Sequence, residues 1–110
     1  MTEKDSLMSN AFKTFLKEAP GHASAWMDAV RALSDASALD KKTASLAYLA
    51  VLAALRLESG IPFHVVHARG AGASRDEVIS AILVGLPAAG NVVTGALPAA
   101  IRAYDSCEAA

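Results

Sequence analysis

The chain has almost no cysteine: among its 110 residues the single thiol is Cys107, in the C-terminal tail. One thiol makes neither an internal disulfide nor a four-ligand zinc site, and a reducing compartment is the expectation. An excess of charge of one sign is also missing. Ten Lys+Arg stand against 11 Asp+Glu, for a formal charge of −1, which leaves no electrostatic footprint for a phosphate backbone and excludes nucleic acid as the expected partner. The opening segment from Met1 to Asn10 is polar, with no apolar stretch before a small-residue cleavage site. No secretory signal is expected, and the location expected is cytoplasmic. Alternating strand patterns, internal repeats and low-complexity tracts are absent as well.

Apolar residues are what the chain has in surplus. They make up 54% of it and the mean hydropathy is +0.35, more than the interior of one small domain hides, so part of the excess is expected in subunit contacts. At this length the chain is expected to form a single domain over residues 1–110. Alanine supplies much of the excess and favours close helix packing. From Val78 to Ile101 no residue is charged, a length sufficient for a bilayer. Gly85, Pro87, Gly90, Asn91, Gly95 and Pro98 interrupt the run, so it reads as two shorter buried helices and no membrane association is expected.

Phe12, Phe15, Leu16 and Ala19 recur at helical spacing and stop at Pro20-Gly21, with His22 in the following loop. Trp26, Ala29, Val30 and Leu33 give a second stripe, with Asp28 and Arg31 on the other side. Asp40 is placed to cap a third helix, whose stretch Leu46 to Leu57 is apolar nearly all round and is expected to be buried on most sides until Ser59-Gly60 ends it. Pro62 suits the first turn of a short helix with Phe63, Val66 and Gly70 facing one way, closed by Gly72 in the left-handed conformation. Ser74-Arg75-Asp76-Glu77 reads as a capping box ahead of the stripe Val78, Ile79, Ile82, Leu83 and Leu86. A last helix runs from Asn91 to about Tyr104, with Pro98 kinking or restarting it.

Three segments in a fixed order, Leu39-Asp40-Lys41-Lys42-Thr43, then Leu57-Glu58-Ser59-Gly60-Ile61-Pro62-Phe63-His64, then Gly72-Ala73-Ser74-Arg75-Asp76-Glu77-Val78, resemble the core of the carboxymuconolactone decarboxylase and alkylhydroperoxidase D superfamily. Gly90-Asn91-Val92-Val93 and Ala96-Leu97-Pro98-Ala99-Ala100 resemble its last helix, so the likeness covers residues 39–104, with a tail from 105 to 110. The resemblance implies an all-α bundle of about six helices assembling as a homotrimer or homohexamer. In the thiol peroxidase branch of that superfamily two cysteines of a Cys-x-x-Cys-x-x-x-His turn reduce a peroxide, and a glutamate on the preceding helix relays protons through the histidine. At the matching positions this chain holds Leu57, Gly60 and Ser45, and only His64 remains. Without a thiolate and a resolving thiol, alkylhydroperoxidase or peroxiredoxin activity is not expected. The decarboxylase branch also lacks the cysteine pair.

His64 is therefore the leading catalytic candidate. An imidazole titrates near neutrality, and a decarboxylated lactone has to be reprotonated at carbon. The alternative is a histidine kept to bind a backbone carbonyl at a helix start or a subunit interface. Arg56 and Glu58 flank the turn and are candidates for holding a substrate carboxylate and shuttling a proton, against a reading as surface or intersubunit ion pairs. His67, with His64 and either Glu58 or Asp76, offers too few donors at helical spacing for a metal site, and neither metal nor cofactor is expected. Trp26, Phe12, Phe15 and Phe63 read as core rather than as an aromatic pocket. Gly70-Ala71-Gly72 precedes no Lys-Ser/Thr pair and is no phosphate loop. The expected function is cofactor-free acid and base chemistry on a small carboxylated or lactone metabolite. Two other readings stay open: a non-catalytic oligomer that binds a ligand or partner, and residual thiol chemistry through Cys107.

Overall fold

Every regular element of the computed structural model, which describes residues 7–106, is helical. Cys107 and the last residues of the tail lie outside the described residues. The described chain divides after Asp40 into two compact units.

In the first unit Ser9 caps helix α1 (Asn10–Glu18), its side chain accepting from the Phe12 N–H at 3.1 Å. Ala19 interrupts the helical path, and Pro20 then opens α2 (Pro20–Ala36). Pro20 thus starts a helix at once, because a first-turn proline has φ already set and no N–H to satisfy. His22 accordingly sits in the first turn of α2, not in a loop. On α2 Ala23 is buried, while Trp26, Met27, Val30 and Leu33 are exposed. Trp26 is therefore not a core residue of the single chain, and Phe12 and Phe15 are only half-buried, their rings 6.4 Å apart.

The second unit is built around α3 (Lys41–Ala54). It buries one face, Ser45, Leu49, Leu52 and Ala53, and leaves Tyr48, Val51 and Leu55 exposed. The expectation of burial on most sides is corrected here, because α4, α5 and the segment before α7 cover only one face of α3. The helix also stops earlier than Ser59-Gly60. The Leu57 N–H donates to the Leu52 carbonyl at 2.9 Å and the Arg56 N–H to the Ala53 carbonyl at 3.2 Å, with Arg56 at φ 59°. This is a Schellman closure with arginine where glycine is the usual residue. A 3-10 turn, Glu58–Gly60, leads into α4 (Ile61–Gly70), with Pro62 in its first turn. The buried face of α4 is Ile61, Val65 and Ala68, one step around the helix from the expected Phe63, Val66 and Gly70. That rotation brings β-branched side chains to the core and leaves Phe63 and His64 at its edge.

Gly72, at φ 101°, closes α4 by the same device, the Ala73 N–H reaching the Ala68 carbonyl at 3.0 Å. Helix α5 (Arg75–Leu83) starts with a full capping box: the Glu77 N–H donates to Ser74 Oγ at 3.0 Å, and the Ser74 N–H to Glu77 Oε1 at 2.9 Å. The other carboxylate oxygen of Glu77 takes Lys42 Nζ at 2.9 Å, tying the start of α5 to the first turn of α3. After α5 come one helical turn, α6 (Leu86–Ala89), a 3-10 segment (Asn91–Ala96) and α7 (Leu97–Ser106). Pro98 therefore restarts a helix instead of kinking one. Tyr104 of α7 donates its hydroxyl to the Ala73 carbonyl at 2.9 Å and carries the Arg69 guanidinium over its ring at 5.0 Å, while Asp105 binds Arg75 at 2.9 and 3.3 Å. Leu49, Ile61, Val65, Val78, Ile82, Val93 and Ala100 form the shared core. The uncharged run is thus cut into short pieces, and among the described residues no helix is long and apolar enough to cross a membrane.

Two substitutions are expected to move stability in opposite directions. Ser74→Ala removes one half of the capping box and should cost about 1 kcal/mol. Arg56→Gly relieves a left-handed backbone on a residue with a Cβ and should gain up to about 1 kcal/mol. Urea unfolding checks both; a loss of stability for Arg56→Gly would mean that the arginine side chain stabilises the fold by more than its backbone costs.

Candidate functional site

The site forms where α3 turns back into α4. On α3, Ser45, Leu49 and Leu52 recur at i, i+4 and i+7 and are buried, and Tyr48 stands beside them at the margin of that face, half exposed at 48%. The Schellman turn at Arg56 and the 3-10 turn then return the chain, so that α4 lies along α3. Because Val65 points into the core, its predecessor His64 is held at the edge, half-buried. The Tyr48 ring meets the imidazole with centroids 4.5 Å apart and planes tilted by 48°, and Phe63 approaches edge-on at 5.2 Å.

Gly60 belongs to the same corner. Its φ is −87°, so the backbone does not require glycine. A Cβ there would lie 3.7 Å from the Leu52 methyls and 3.9 Å from His64 Cδ2, ordinary contact distances. Position 60 therefore still faces the imidazole although it carries no side chain. Ser45, the other polar position on this face, is 8% exposed. Leu57, by contrast, is half exposed.

Burial holds the His64 imidazole below its ordinary value, since desolvation penalises the charged form, and the positive form of His67 pushes the same way. Among the described residues no hydrogen bond engages the ring of His64, and no buried polar side-chain atom is left without a partner. The imidazole nitrogens are therefore reachable from solvent and uncommitted. The hydrogen bond to a backbone carbonyl that would explain a structural histidine is not made within the described chain.

The remaining candidates are arranged less closely. Arg56 is exposed and held in left-handed backbone. Glu58 is exposed, and its carboxylate lies against the backbone of Gly95, where an added Cβ would meet Oε2 at 2.8 Å. That places it near the N-terminal end of α7, where the helix dipole favours an anion. Among the described residues no hydrogen bond or ion pair joins Arg56, Glu58 and His64. His67 is exposed, and Asp76 lines a different feature, an open groove of about 630 Å³ between α3 and α5 walled by Leu46, Ala50 and Val84. Among the described residues no group of three His, Cys, Asp or Glu side chains is placed to hold a metal ion. Tyr48 was not singled out by its sequence context, although its i+3 spacing from Ser45 was a usable signal.

No curated protein and no solved structure matches the chain. The model of the carboxymuconolactone decarboxylase family matches residues 20–102, a span that contains the α3–α4 corner, the capping box and most of α7. With three quarters of its length matched and an all-helical fold around a single surviving motif histidine, the chain belongs to the carboxymuconolactone decarboxylase family.

Proposed function

We propose that the chain is a cofactor-free, cytoplasmic enzyme that works by acid and base catalysis at His64 on a small carboxylated or lactone metabolite. The observation that carries this reading is an imidazole that is half-buried, depressed in pKa, and committed to no internal partner. In a decarboxylation the C–C bond to the carboxylate breaks, CO2 leaves, and the electron pair moves into the conjugated carbonyl of the substrate. The imidazolium of His64 then delivers its proton to carbon and is recharged from solvent, so that one proton is consumed per turnover. Arg56 is the group proposed to hold the substrate carboxylate, as guanidinium does in bidentate geometry. Glu58 is proposed as the shuttle that returns a proton to the site, which requires its carboxylate to leave Gly95 when substrate binds.

The second reading, a non-catalytic oligomer that binds a ligand or partner, draws support from Ser45, Leu57 and Gly60. These side chains offer little chemistry at the family's redox positions. Under either reading we propose that the chain associates with itself as a trimer or hexamer, through exposed apolar faces: Tyr48, Val51 and Leu55 on α3, and Trp26, Val30 and Leu33 on α2. Tyr48 adjoins His64, so a neighbouring subunit on that face would roof the site.

A panel of small lactones and carboxylic acids tests the enzyme reading. His64→Ala should lower turnover by at least about 100-fold while light scattering shows the same assembly; equal activity in the variant sinks it. Arg56→Gly should raise KM at least about tenfold, through the loss of the charge-assisted contact with the carboxylate. The pH profile carries a sign. With His64 as the acid, kcat/KM falls as pH rises through a value below the usual imidazole range, because the free enzyme holds the ring depressed. A bound carboxylate favours the imidazolium, so the same limb in kcat should lie at higher pH. A mass near one subunit at all concentrations would defeat the oligomer.

A further inference from the structure

The Tyr48–His64 pair is not accounted for by core packing. Tyr48 is 48% exposed, yet its ring is turned onto the imidazole at 4.5 Å instead of outward with Val51 and Leu55, its neighbours on the exposed face of α3. Its hydroxyl makes no hydrogen bond among the described residues, so no polar partner holds it in that place. Its ring packs on the imidazole of His64 at a tilt of 48°, and Phe63 meets the same imidazole edge-on.

We infer that Tyr48 is a positioning residue for His64: its ring packs against the imidazole and sets the orientation in which the ring nitrogens meet a ligand. This rests on the acid and base role proposed for His64, but the positioning itself is measurable without turnover. Two rings packed on the imidazole narrow the directions from which a ligand can meet its nitrogens. The contact with Tyr48 takes part of the ring out of water, in the direction of the desolvation that lowers the His64 titration.

The groups around His64 that titrate or carry charge leave Tyr48 as the one in ring contact from another helix. On α4 itself His67 lies one turn on and opposes protonation of His64. In the turn before α4, Arg56 makes no hydrogen bond or ion pair among the described residues and the Glu58 carboxylate is at Gly95. On α3 the lysines, Lys41 and Lys42, are at the far end, with Lys42 engaged by Glu77. From α7, which also packs on α4, the charged residues are Arg102 and Asp105, and Asp105 is held by Arg75.

The test compares the intact protein with Tyr48→Phe, Tyr48→Leu and Tyr48→Ala, using proton NMR of the His64 ring, assigned by its loss in His64→Ala. Wild type and Tyr48→Phe are expected to show the same ring-current displacement of the imidazole protons and the same titration midpoint. Tyr48→Leu and Tyr48→Ala are expected to lose the displacement, and in Tyr48→Ala the midpoint should rise toward the ordinary imidazole value. On any substrate found, kcat should fall in Tyr48→Leu and recover in Tyr48→Phe, with KM little changed. Identical imidazole signals in wild type and Tyr48→Ala, or a Tyr48→Leu variant that matches wild type, would overturn the inference. If the imidazole signals change as expected and no lactone or acid is turned over by the wild type, the enzyme reading fails and the positioning role stands.

Discussion

The burial of one face of α3 is the constraint on which the second unit depends. Leu49, Leu52 and Ala53 leave water against α4, α5 and the segment before α7, and each large apolar side chain so buried is worth roughly 1.5–3 kcal/mol. To put α4 back along that face the chain must reverse within a few residues of Ala54. It does so with a Schellman closure that forces Arg56 into the left-handed region. A glycine would meet that demand at lower conformational cost, so an arginine there is tolerated only because the packing on both sides overdetermines the turn.

The electrostatic character of the corner follows from the same packing. His64 is neither in the core nor in water because Val65, next to it, is fully buried. A half-buried imidazole loses hydration without gaining a carboxylate partner, and its neutral form is favoured. Elsewhere in the unit two pairs of charged groups meet on the surface: Lys42 with Glu77, Arg75 with Asp105. The Glu77 carboxyl is held below the usual carboxylate range, first by the Ser74 N–H and then by Lys42. Such contacts fix where α5 begins more than they stabilise the fold, since exposed ion pairs contribute little.

Two of the segments that carry the family resemblance serve one joint. Lys42 comes from the first turn of α3 and Glu77 from the capping box of α5, and they meet at 2.9 Å. The positions matched to the redox residues of the thiol peroxidase branch, in contrast, carry neither thiol nor carboxylate. Gly60 still faces His64, whereas Leu57 is half exposed and Ser45 is buried on α3.

Local rules written in short stretches were legible in the sequence alone. The capping box at Ser74, the left-handed close at Gly72 and the proline start of α4 each depend on residues within a few positions of one another, and these contacts form whatever the rest of the chain does. The order of the motifs likewise identified His64 and the missing cysteines. Tertiary packing decided what periodicity leaves open: that Pro20, where the first helix has stopped, begins the next one at once, that α3 ends at Ala54, that α4 buries Val65 and not Val66, and that Trp26 is exposed in the single chain. An apolar helix has no sequence mark for the side its partners will cover. For the same reason Tyr48 came into view only when α4 was laid along α3, since the contact between its ring and His64 spans two helices and exists only after both are packed.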